Sequence, residues 1–370
     1  MISDSAFDAW FRLLETPGIG RERARRLLSA CGSVEAVFDT SAVTLRQLVG
    51  APAAEALRHP PPEVAERLQA AQQWLAGAPD RHVMVLGDAD WPPLLLQSPD
   101  PPLLLYVIGR TALLSAPSVA IVGSRRTSGQ GEDNAHAFAA ALGRRGLVVV
   151  SGLAQGIDAA AHEGALTTAA GTVAVVGTGL DRVYPPRHHD LAHRIAAHGA
   201  LVSEYAPGTP PLPENFPQRN RIIAGLSLGT LVVEAALRSG SLITARLASE
   251  AGREVFAIPG SIHSPQSKGC HALIKQGAKL VESAEDICEE LLLGTSTASA
   301  DRHELPAQDS TASTADPLLA ALGDDPVTLD ALMARTGHPV AVLMARLLEL
   351  ELQGHAARLP GGLYQRRHRG

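Results

Sequence analysis

Six short runs of apolar, largely β-branched residues recur between residues 119 and 258, and they constrain the fold more than any other feature. Each run is followed by a turn-forming or polar residue and then by a segment with helical periodicity. The runs are Val119–Val122, Leu147–Val150, Thr172–Val176, Ala200–Val202, Thr230–Val233 and Val255–Ile258. Continuously apolar strands that alternate with helices are typical of a parallel sheet covered on both faces. The sequence therefore predicts an α/β fold with a doubly wound, Rossmann-like parallel sheet domain over residues 118–293.

The part of the chain before this domain has a different pattern. Residues 1–76 predict a small helical domain with a Pro17–Gly20 turn between two helices. That turn is similar to the hairpin of helix-hairpin-helix DNA binders, and whether it contacts DNA stays open. Residues 77–117 are rich in proline and predict a connector that carries one or two edge strands, Val83–Leu86 and Leu103–Ile108.

The part after the domain predicts a linker and a third unit. Residues 294–316 are rich in Ser, Thr and Ala without periodicity, which is typical of a linker. Residues 317–370 predict three short helices and a hairpin, a pattern that fits a winged-helix module. The helix that would read DNA, Pro339–Gln353, has one arginine and two glutamates, whereas a major-groove reader needs more polar and basic side chains. Protein and DNA both stay open as ligands of this module.

Composition excludes several classes of protein. A formal net charge of −6 argues against a histone-like coat on nucleic acid, although a local basic pocket is still allowed. Three of the 32 basic residues are lysines, so a phosphate site here would consist mainly of arginine. The three cysteines form no CxxC pair, which argues against a disulfide framework or a cysteine zinc site. With neither a signal peptide nor a long apolar segment in the sequence, we expect a cytoplasmic protein without a membrane segment.

Several catalytic patterns match only in part. Gly225–Gly229 fits the GxSxG nucleophile elbow, but a predicted helix precedes it and a predicted strand follows, which is the reverse of the required order. His162-Glu163 begins an HExxH motif, and Leu166 stands where the second histidine would be. Gly177-Thr178-Gly179 begins a dinucleotide fingerprint that Arg182 leaves incomplete. The sequence therefore predicts no catalytic residue, no metal and no cofactor.

Features that bind anions instead collect at the carboxyl ends of the predicted strands. Gly123–Arg125 follows the first strand, Ser151–Asp158 the second and Gly177–Gly179 the third, while Arg219–Arg221 and Ser239–Ser241 open later helices. Glycine lets the backbone approach a ligand closely, and helix N-termini present free N–H groups and a positive dipole to it. Ligands of open α/β sheets bind at this edge. The sequence therefore predicts a site for a polyanion or a nucleotide.

The motifs at these positions resemble, in order and together, those of the bacterial DNA-processing protein A family (DprA/Smf). They are Gly123–Arg125, Ser151–Asp158, Tyr184-Pro185, Phe216–Ile223, Ser239–Ala245, Gly252–Phe256 and Pro259-Gly260. The resemblance implies a non-enzymatic single-stranded DNA-binding protein that protects incoming DNA and helps load the RecA recombinase in natural transformation. It also implies a homodimer formed through the Rossmann-like domain. The family often has a basic residue directly after the Tyr-Pro pair, where this chain has Pro186 and then Arg187, and whether Arg187 replaces it stays open.

On this basis we expect the DNA-binding pocket to combine loop glycines and hydroxyls with arginines that neutralise phosphates. The expected residues are Gly123, Ser124, Arg125, Ser151, Gly152, Gln155, Gly156, Arg187, Phe216, Arg219, Asn220, Arg221, Ser239, Gly240, Ser241 and Thr244. Asp158 is acidic beside a phosphate site, so we expect it to support a loop instead of contacting DNA.

Two other classes stay open at this point. Lysine decarboxylase-like Rossmann enzymes share the strand-GSR opening and act on nucleoside monophosphates, but they use a PGGxGT motif and a following glutamate, where this chain has Ser239–Ser241 and no fitting glutamate. A nicotinamide-dependent dehydrogenase is disfavoured by the incomplete fingerprint.

Overall fold

The computed structural model describes residues 3–292, 316–323, 326–359 and 361–367. Within residues 3–292, one mixed sheet has the strand order β1-β2-β6-β5-β4-β3-β7-β8-β9. Its strands are β1 Arg81–Val85, β2 Leu104–Gly109, β3 Ser118–Val122, β4 Val148–Ser151, β5 Thr172–Val175, β6 Ala200–Ser203, β7 Gly229–Val232, β8 Glu254–Ala257 and β9 Lys279–Leu280.

The predicted α/β class with a large parallel sheet is confirmed. Strands β3 to β9 pair in parallel, and each of the six apolar runs contributes one of them. The two runs of the Pro-rich segment extend the same sheet in antiparallel pairing. β1 is an edge strand, whereas β2 pairs with both β1 and β6, and its apolar residues Leu104–Val107 are buried.

Helices cover both faces of the sheet and form the N-terminal unit. The N-terminal helices are α1 Asp4–Glu15, α2 Arg21–Cys31, α3 Val34–Asp39, α4 Ala42–Val49, α5 Ala51–Arg58 and α6 Pro62–Ala76. The remaining helices of this part are α7 Pro93–Leu96, α8 Gly129–Arg144, α9 Ile157–Leu166, α10 His189–His198, α11 Asn215–Leu226, α12 Ser241–Glu250, α13 Lys268–Lys275 and α14 Ala284–Leu292.

The N-terminal helices share a hydrophobic core with the sheet. Phe7 packs edge-on against Tyr106 of β2, with ring centroids 6.4 Å apart, and Trp74 contacts the same ring from α6. Phe11 and Leu13 are almost fully buried in this cluster. The helical unit is therefore packed onto the sheet as part of one folded body.

The C-terminal part folds around its own small core. Its helices are α15 Pro317–Leu322, α16 Leu329–Thr336 and α17 Val340–Leu352, and a three-stranded sheet is formed by β10 Val327–Thr328, β11 Ala356–Leu359 and β12 Leu363–Arg366. Leu322, Leu332, Leu343 and Leu347 are buried between them. The predicted helices and hairpin are present, while the predicted linker over residues 294–316 lies outside the described residues apart from Asp316. None of the described helices is long and apolar enough to cross a membrane.

Candidate nucleic-acid interface

A cleft of about 570 Å³ opens where the strand order reverses. From β3 the chain proceeds through β4, β5 and β6 on one side, and β7, β8 and β9 lie on the other. The loops that follow β3 and β7 therefore separate and leave a crevice, which is the usual ligand position in open α/β sheets. The predicted edge of the sheet is thus the one that carries the cleft.

The cleft brings together most of the residues that the sequence singled out. Those that line it are Gly123, Ser124, Arg125, Asp158, Phe216, Arg219, Asn220, Ser239, Gly240, Ser241 and Thr244. A smaller adjoining recess of about 230 Å³ shares Arg125, Phe216 and Arg219 with the cleft and adds Gly152, Gln155 and Tyr184. Loops from four strand ends and the first turns of α11 and α12 therefore meet at one place.

Three exposed arginines surround the cleft. Arg125 and Arg126 follow β3, and Arg238 stands on the opposite wall after β7. Within the described parts of the chain none of the three forms an ion pair, so their charge is available to an anion. Sequence reasoning missed Arg126 and Arg238, although each adjoins a motif that it selected, the first beside Arg125 and the second directly before Ser239.

The first turn of α12 forms the floor on the Arg238 side. Gly240 is the N-cap and offers no side chain, so the first N–H groups of the helix have no capping partner on that residue. The hydroxyls of Ser239 and Ser241 lie 2.7 Å apart. Hydroxyl donors and the positive end of the helix dipole at such an N-terminus suit phosphate oxygens.

Two aromatic rings border the recess. The centroids of Tyr184 and Phe216 are 5.4 Å apart, and the Arg125 guanidinium carbon lies 5.9 Å from the centroid of Phe216. Tyr184 is exposed and Phe216 is half-buried. Exposed rings beside a cationic groove are the arrangement on which unpaired bases stack.

Arg219 lines the cleft, but its guanidinium is hydrogen-bonded within the protein. Its Nη1 donates to the carbonyl oxygens of Gly152 and Val175, and Asn220 accepts from its Nε at 3.1 Å. Burial lowers the pKa of Arg219 to about 10, and the negative charge of the Asp158 carboxylate opposes this decrease. The side chain therefore stays charged at neutral pH and joins two strand ends. A Cβ on Gly152 would lie 2.4 Å from Arg219 Nη2, so a larger residue there would displace the guanidinium.

Asp158 holds the loop between β4 and α9. Its Oδ2 accepts from the backbone N–H groups of Gly152 and Ala154, at 3.2 and 3.3 Å. Burial raises the pKa of the Asp158 carboxyl, and the Arg219 guanidinium and these two N–H groups oppose that rise. This is the supporting position that the sequence suggested for Asp158.

Four expected residues line neither the cleft nor the recess, namely Ser151, Gly156, Arg187 and Arg221. Ser151 is buried, and its hydroxyl donates to the Ile121 carbonyl oxygen at 2.6 Å. Gly156 has a φ of 78°, and a Cβ on it would lie 2.4 Å from the Ser124 carbonyl oxygen, so it supports the β3 loop. Arg187 is exposed in a 3₁₀ turn beyond the recess.

The structure corrects the expectation for Arg221. This residue is two positions from Arg219 on α11, so about 200° of helical rotation turns it away from the cleft. It is buried, its Nη2 donates to the Glu204 carboxylate, and its Nε lies 3.1 Å from Asp100 Oδ2. Burial alone would raise the pKa of Asp100, and the guanidinium groups of Arg221, Arg25 and Arg21 outweigh it and hold the pKa below the usual value. Arg221 therefore attaches α11 to the loop before β2 and to the end of β6.

Glu234 is a functional position that the sequence reasoning missed. It follows β7, and its carboxylate accepts from the Ser128 backbone N–H at 3.0 Å and from the hydroxyls of Thr127 and Ser128. Ser128 in turn caps α8 by accepting from Gly131 N. Glu234 thereby fixes the segment that carries Arg125 and Arg126. The signal available in the sequence was an acidic residue directly after a predicted apolar strand, at the edge where the other motifs collect.

The partial catalytic patterns occupy structural positions. Ser227 is buried after α11, donates to the Ile223 carbonyl oxygen and precedes β7, so the reversed order that the sequence indicated is observed. His162 is buried on α9, with its Nδ1 2.8 Å from Thr172 Oγ1.

Together the switch-point cleft and its unpaired arginines define the class: a Rossmann-like domain whose ligand site is built for an anion. The comparisons with known proteins are specific. The chain belongs to the DNA recombination-mediator protein A family, whose model matches residues 82–292, and a DprA winged helix domain model matches residues 302–362. The family resemblance and the winged-helix module inferred from the sequence are thereby confirmed.

The relatives agree with this assignment. Protein Smf of Escherichia coli K12 is 46% identical over 293 residues, which is 78% of this chain and of that protein. DNA processing protein DprA of Streptococcus pneumoniae R6 is 52% identical over 191 residues, covering 52% of this chain and 67% of that protein.

Two solved structures are also similar. The X-ray structure of DprA from Streptococcus pneumoniae has a TM-score of 0.69 at 37% identity and covers 78% of this chain and 98% of that one. The structure of DNA processing protein A from Helicobacter pylori, described for its single-stranded DNA binding mode, has a TM-score of 0.52 at 32% identity and covers 58% and 97%.

Proposed function

We propose that this protein binds single-stranded DNA in the switch-point cleft and acts in DNA processing during natural transformation. The observation that carries the proposal is the set of three exposed, unpaired arginines, Arg125, Arg126 and Arg238, on both walls of a cleft floored by the first turn of α12. Phosphates would contact the arginines and the serine hydroxyls at the start of α12, and bases would stack on Phe216 and Tyr184. Backbone contacts dominate this list, so we expect little sequence preference.

A binding titration across salt concentrations tests the proposal. With about three phosphates neutralised, the logarithm of the affinity should fall against log salt with a slope of roughly −2, and single strands should outcompete duplex. Arg125→Ala should weaken binding by about 1.5–3 kcal/mol, the range of a charge-assisted hydrogen bond, with an unchanged melting temperature. The matched control is Arg144→Ala, an exposed arginine at the far end of α8. A preference for duplex, or equal effects of the two variants, contradicts the proposal.

The protein acts without catalysis in this proposal. Asp158, which lines the cleft, accepts from two backbone N–H groups, and Glu234, which holds the segment after β3, accepts from Thr127 and Ser128. Neither is free to serve as a general acid or base. Release of free base from AMP by the purified protein, abolished by Asp158→Asn, would establish the nucleotide-processing alternative instead.

The proposal extends to loading of a RecA recombinase in the cytoplasm. Its support is the recombination-mediator family to which the chain belongs. We expect the protein to accelerate filament formation by RecA on single strands already covered by a single-strand binding protein, and Arg125→Ala to reduce this effect. Equal rates of filament formation with and without the protein would refute this proposal.

The proposal also includes a homodimer through the sheet domain. A groove of about 820 Å³ lies beside β8 between α12 and α13, lined by Leu242 and Leu273, and Leu237 stands 63% exposed at its margin. Exposed apolar surface of this kind is typical of an interface. Leu237→Glu should convert dimer to monomer in sedimentation velocity, whereas Val43→Glu on exposed α4 should not.

A further inference from the structure

Helix α17 of the C-terminal module exposes a continuous apolar face. Val340, Met344, Leu348 and Leu352 follow one another at four-residue intervals and are 43%, 44%, 57% and 82% exposed. Residues four apart lie on neighbouring turns of one helix face. Ala341 and Ala345 are exposed beside this row, which leaves room for close approach of another backbone. The opposite side of the helix, with Leu343, Leu347 and Leu350, is already buried in the module.

The chemistry of this face does not suit nucleic acid. In a winged-helix module this is the position of the helix that enters the major groove. Here the only charged residues of the helix are Arg346, Glu349 and Glu351, and Arg346 is already paired with Asp316 and Glu349. Phosphates gain nothing from such a surface. The segment at residues 293–315 has two leucines among mainly Ser, Thr and Ala, too few apolar side chains to cover the row.

The charges of α17 favour one orientation for a partner helix. Its acidic residues stand in the last two turns, where the negative end of the helix dipole disfavours them. Its N-cap is Pro339, which provides no side-chain cap. An antiparallel helix of the same sequence would place Glu349 and Glu351 beside the uncapped, positive first turn of the other, whereas a parallel one would bring the four glutamates together.

We propose that α17 is a self-association surface, on which a second copy of this chain packs its own α17 in antiparallel orientation around an axis near residue 346. Met344 of each copy then meets Leu348 of the other, and Val340 meets Leu352. The pairing is isologous, so both copies use the same residues. This proposal concerns the C-terminal module and is independent of the DNA cleft.

The size of the face sets how strong the association can be. Thirteen residues give a helix about 20 Å long, and its face buries roughly 200 Å² per copy, well below the ~800 Å² per partner of a stable complex. Free copies should therefore associate weakly. Copies that are already close together, on one DNA strand or in one dimer, should pair far more completely because their effective concentration is high.

Sedimentation velocity of the full chain tests the surface. Wild-type protein should show a concentration-dependent species larger than the dimer formed through the sheet domain. Leu348→Glu should weaken this further association by roughly 10-fold or more, as loss of a central apolar contact does. Val43→Glu, which charges an equally exposed apolar residue on α4, should leave it unchanged. Leu237→Glu should disrupt the sheet-domain dimer and leave the association through α17 unchanged. Equal behaviour of wild type and Leu348→Glu, with retained far-ultraviolet dichroism, overturns the proposal.

Disulfide trapping tests the orientation in the same full-length protein. A mixture of Met344→Cys and Leu348→Cys chains of different mass should give a mixed disulfide, because these positions face each other. Leu352→Cys alone should give almost none, because antiparallel packing separates the two ends by about 18 Å. An abundant Leu352→Cys homodimer, or no mixed disulfide at positions 344 and 348, contradicts antiparallel self-association.

Discussion

At the scale of single residues, two arginines of α11 that look alike in the sequence have different surroundings. Arg219 reaches the cleft from below, while Arg221 pairs with Glu204 and Asp100 on the other side of the helix. Arg21 of the N-terminal unit contacts the same two acids, its Nε 3.1 Å from Asp100 and its Nη1 3.5 Å from Glu204. The cluster therefore joins the N-terminal unit to α11.

We expect Arg221→Ala to lower stability and to leave DNA affinity nearly unchanged. Removing one member of a buried ion-pair cluster leaves acidic groups unpaired, at a cost of about 2–3 kcal/mol with Arg21 and Arg25 still present. Arg125→Ala should weaken DNA binding and leave stability nearly unchanged. Chemical denaturation and DNA titration of the same two proteins measure both quantities, and a large affinity loss in Arg221→Ala would restore this residue to the binding site.

His162 makes stability depend on pH. Burial lowers its pKa from the usual 6.5 to about 3, and no described residue hydrogen-bonds its Nε2. Because the folded-state pKa lies below the unfolded one, the stabilisation is complete above pH 6.5 and is lost as the pH falls toward 3.

We expect His162→Gln to reduce the slope of unfolding free energy against pH by about 1.4 kcal/mol per unit between pH 6 and 4, the value for one proton. Denaturant melts at several pH values measure this slope. The exposed His198→Gln is the matched control. An unchanged slope in His162→Gln would show that this imidazole is protonated in the folded protein.

At the scale of elements, the site depends on how helix starts are fixed to strand ends. α8 begins at Gly129 with Ser128 as its cap, and Glu234 holds Ser128 from the end of β7. A Cβ on Gly131 would lie 2.5 Å from the Glu234 carboxyl carbon, so this first turn packs directly on the carboxylate. The Arg125–Arg126 loop is thereby attached to the neighbouring strand across the cleft.

Glu234→Ala should reduce both stability and single-strand affinity. Loss of these acceptors leaves the start of α8 unsupported, which costs about 1–2 kcal/mol, as for a lost cap, and releases the loop that carries the cleft arginines. Glu132→Ala, an exposed acid in the same first turn, removes equal charge without these contacts. Calorimetry and DNA titration of Glu234→Ala and Glu132→Ala distinguish the loss of contacts from the loss of charge. Increased DNA affinity in Glu234→Ala would mean that the Glu234 carboxylate merely repels DNA.

At the scale of the whole molecule, the hydrophobic clusters of the described residues belong to two folded parts. The sheet and the N-terminal helices share one body, and the C-terminal module encloses its own cluster around Leu322, Leu332 and Leu347. Arg367 of the module pairs with Asp133 of α8 at 2.8 Å, with both groups partly exposed. A partly exposed ion pair of this kind contributes about 0–1 kcal/mol.

A chain that ends at residue 292 should therefore fold and retain most of its single-strand affinity. No buried residue of the sheet domain depends on the C-terminal core for its packing within the described regions. Differential scanning calorimetry and DNA titration of the shortened protein test this. An insoluble product, or loss of most of the affinity, would show that the module is part of the binding body.

The sequence by itself indicated the buried strands of the sheet and the loops that bear the candidate site, while the short strand β9 and the helix α7 were not predicted. Continuous apolar runs such as Val119–Val122 are typical of a sheet buried on both faces, and glycines after the runs allow tight turns at one edge. The expectation that Asp158 supports a loop came from its place beside glycine-rich, arginine-rich motifs, and its carboxylate does accept from two backbone N–H groups of that loop. These features are local, because periodicity and turn chemistry act over a few residues.

Only the tertiary structure decided which charges are free. Arg219, Arg221 and Glu234 have partners that lie far away in sequence, such as Asp100 for Arg221 and Ser128 for Glu234. Arg238 forms no ion pair with any described residue. The internal place of β2 likewise depends on pairing with β6. An arginine's availability is set by whether folding brings a carboxylate within about 4 Å of it, and no local pattern encodes that distance.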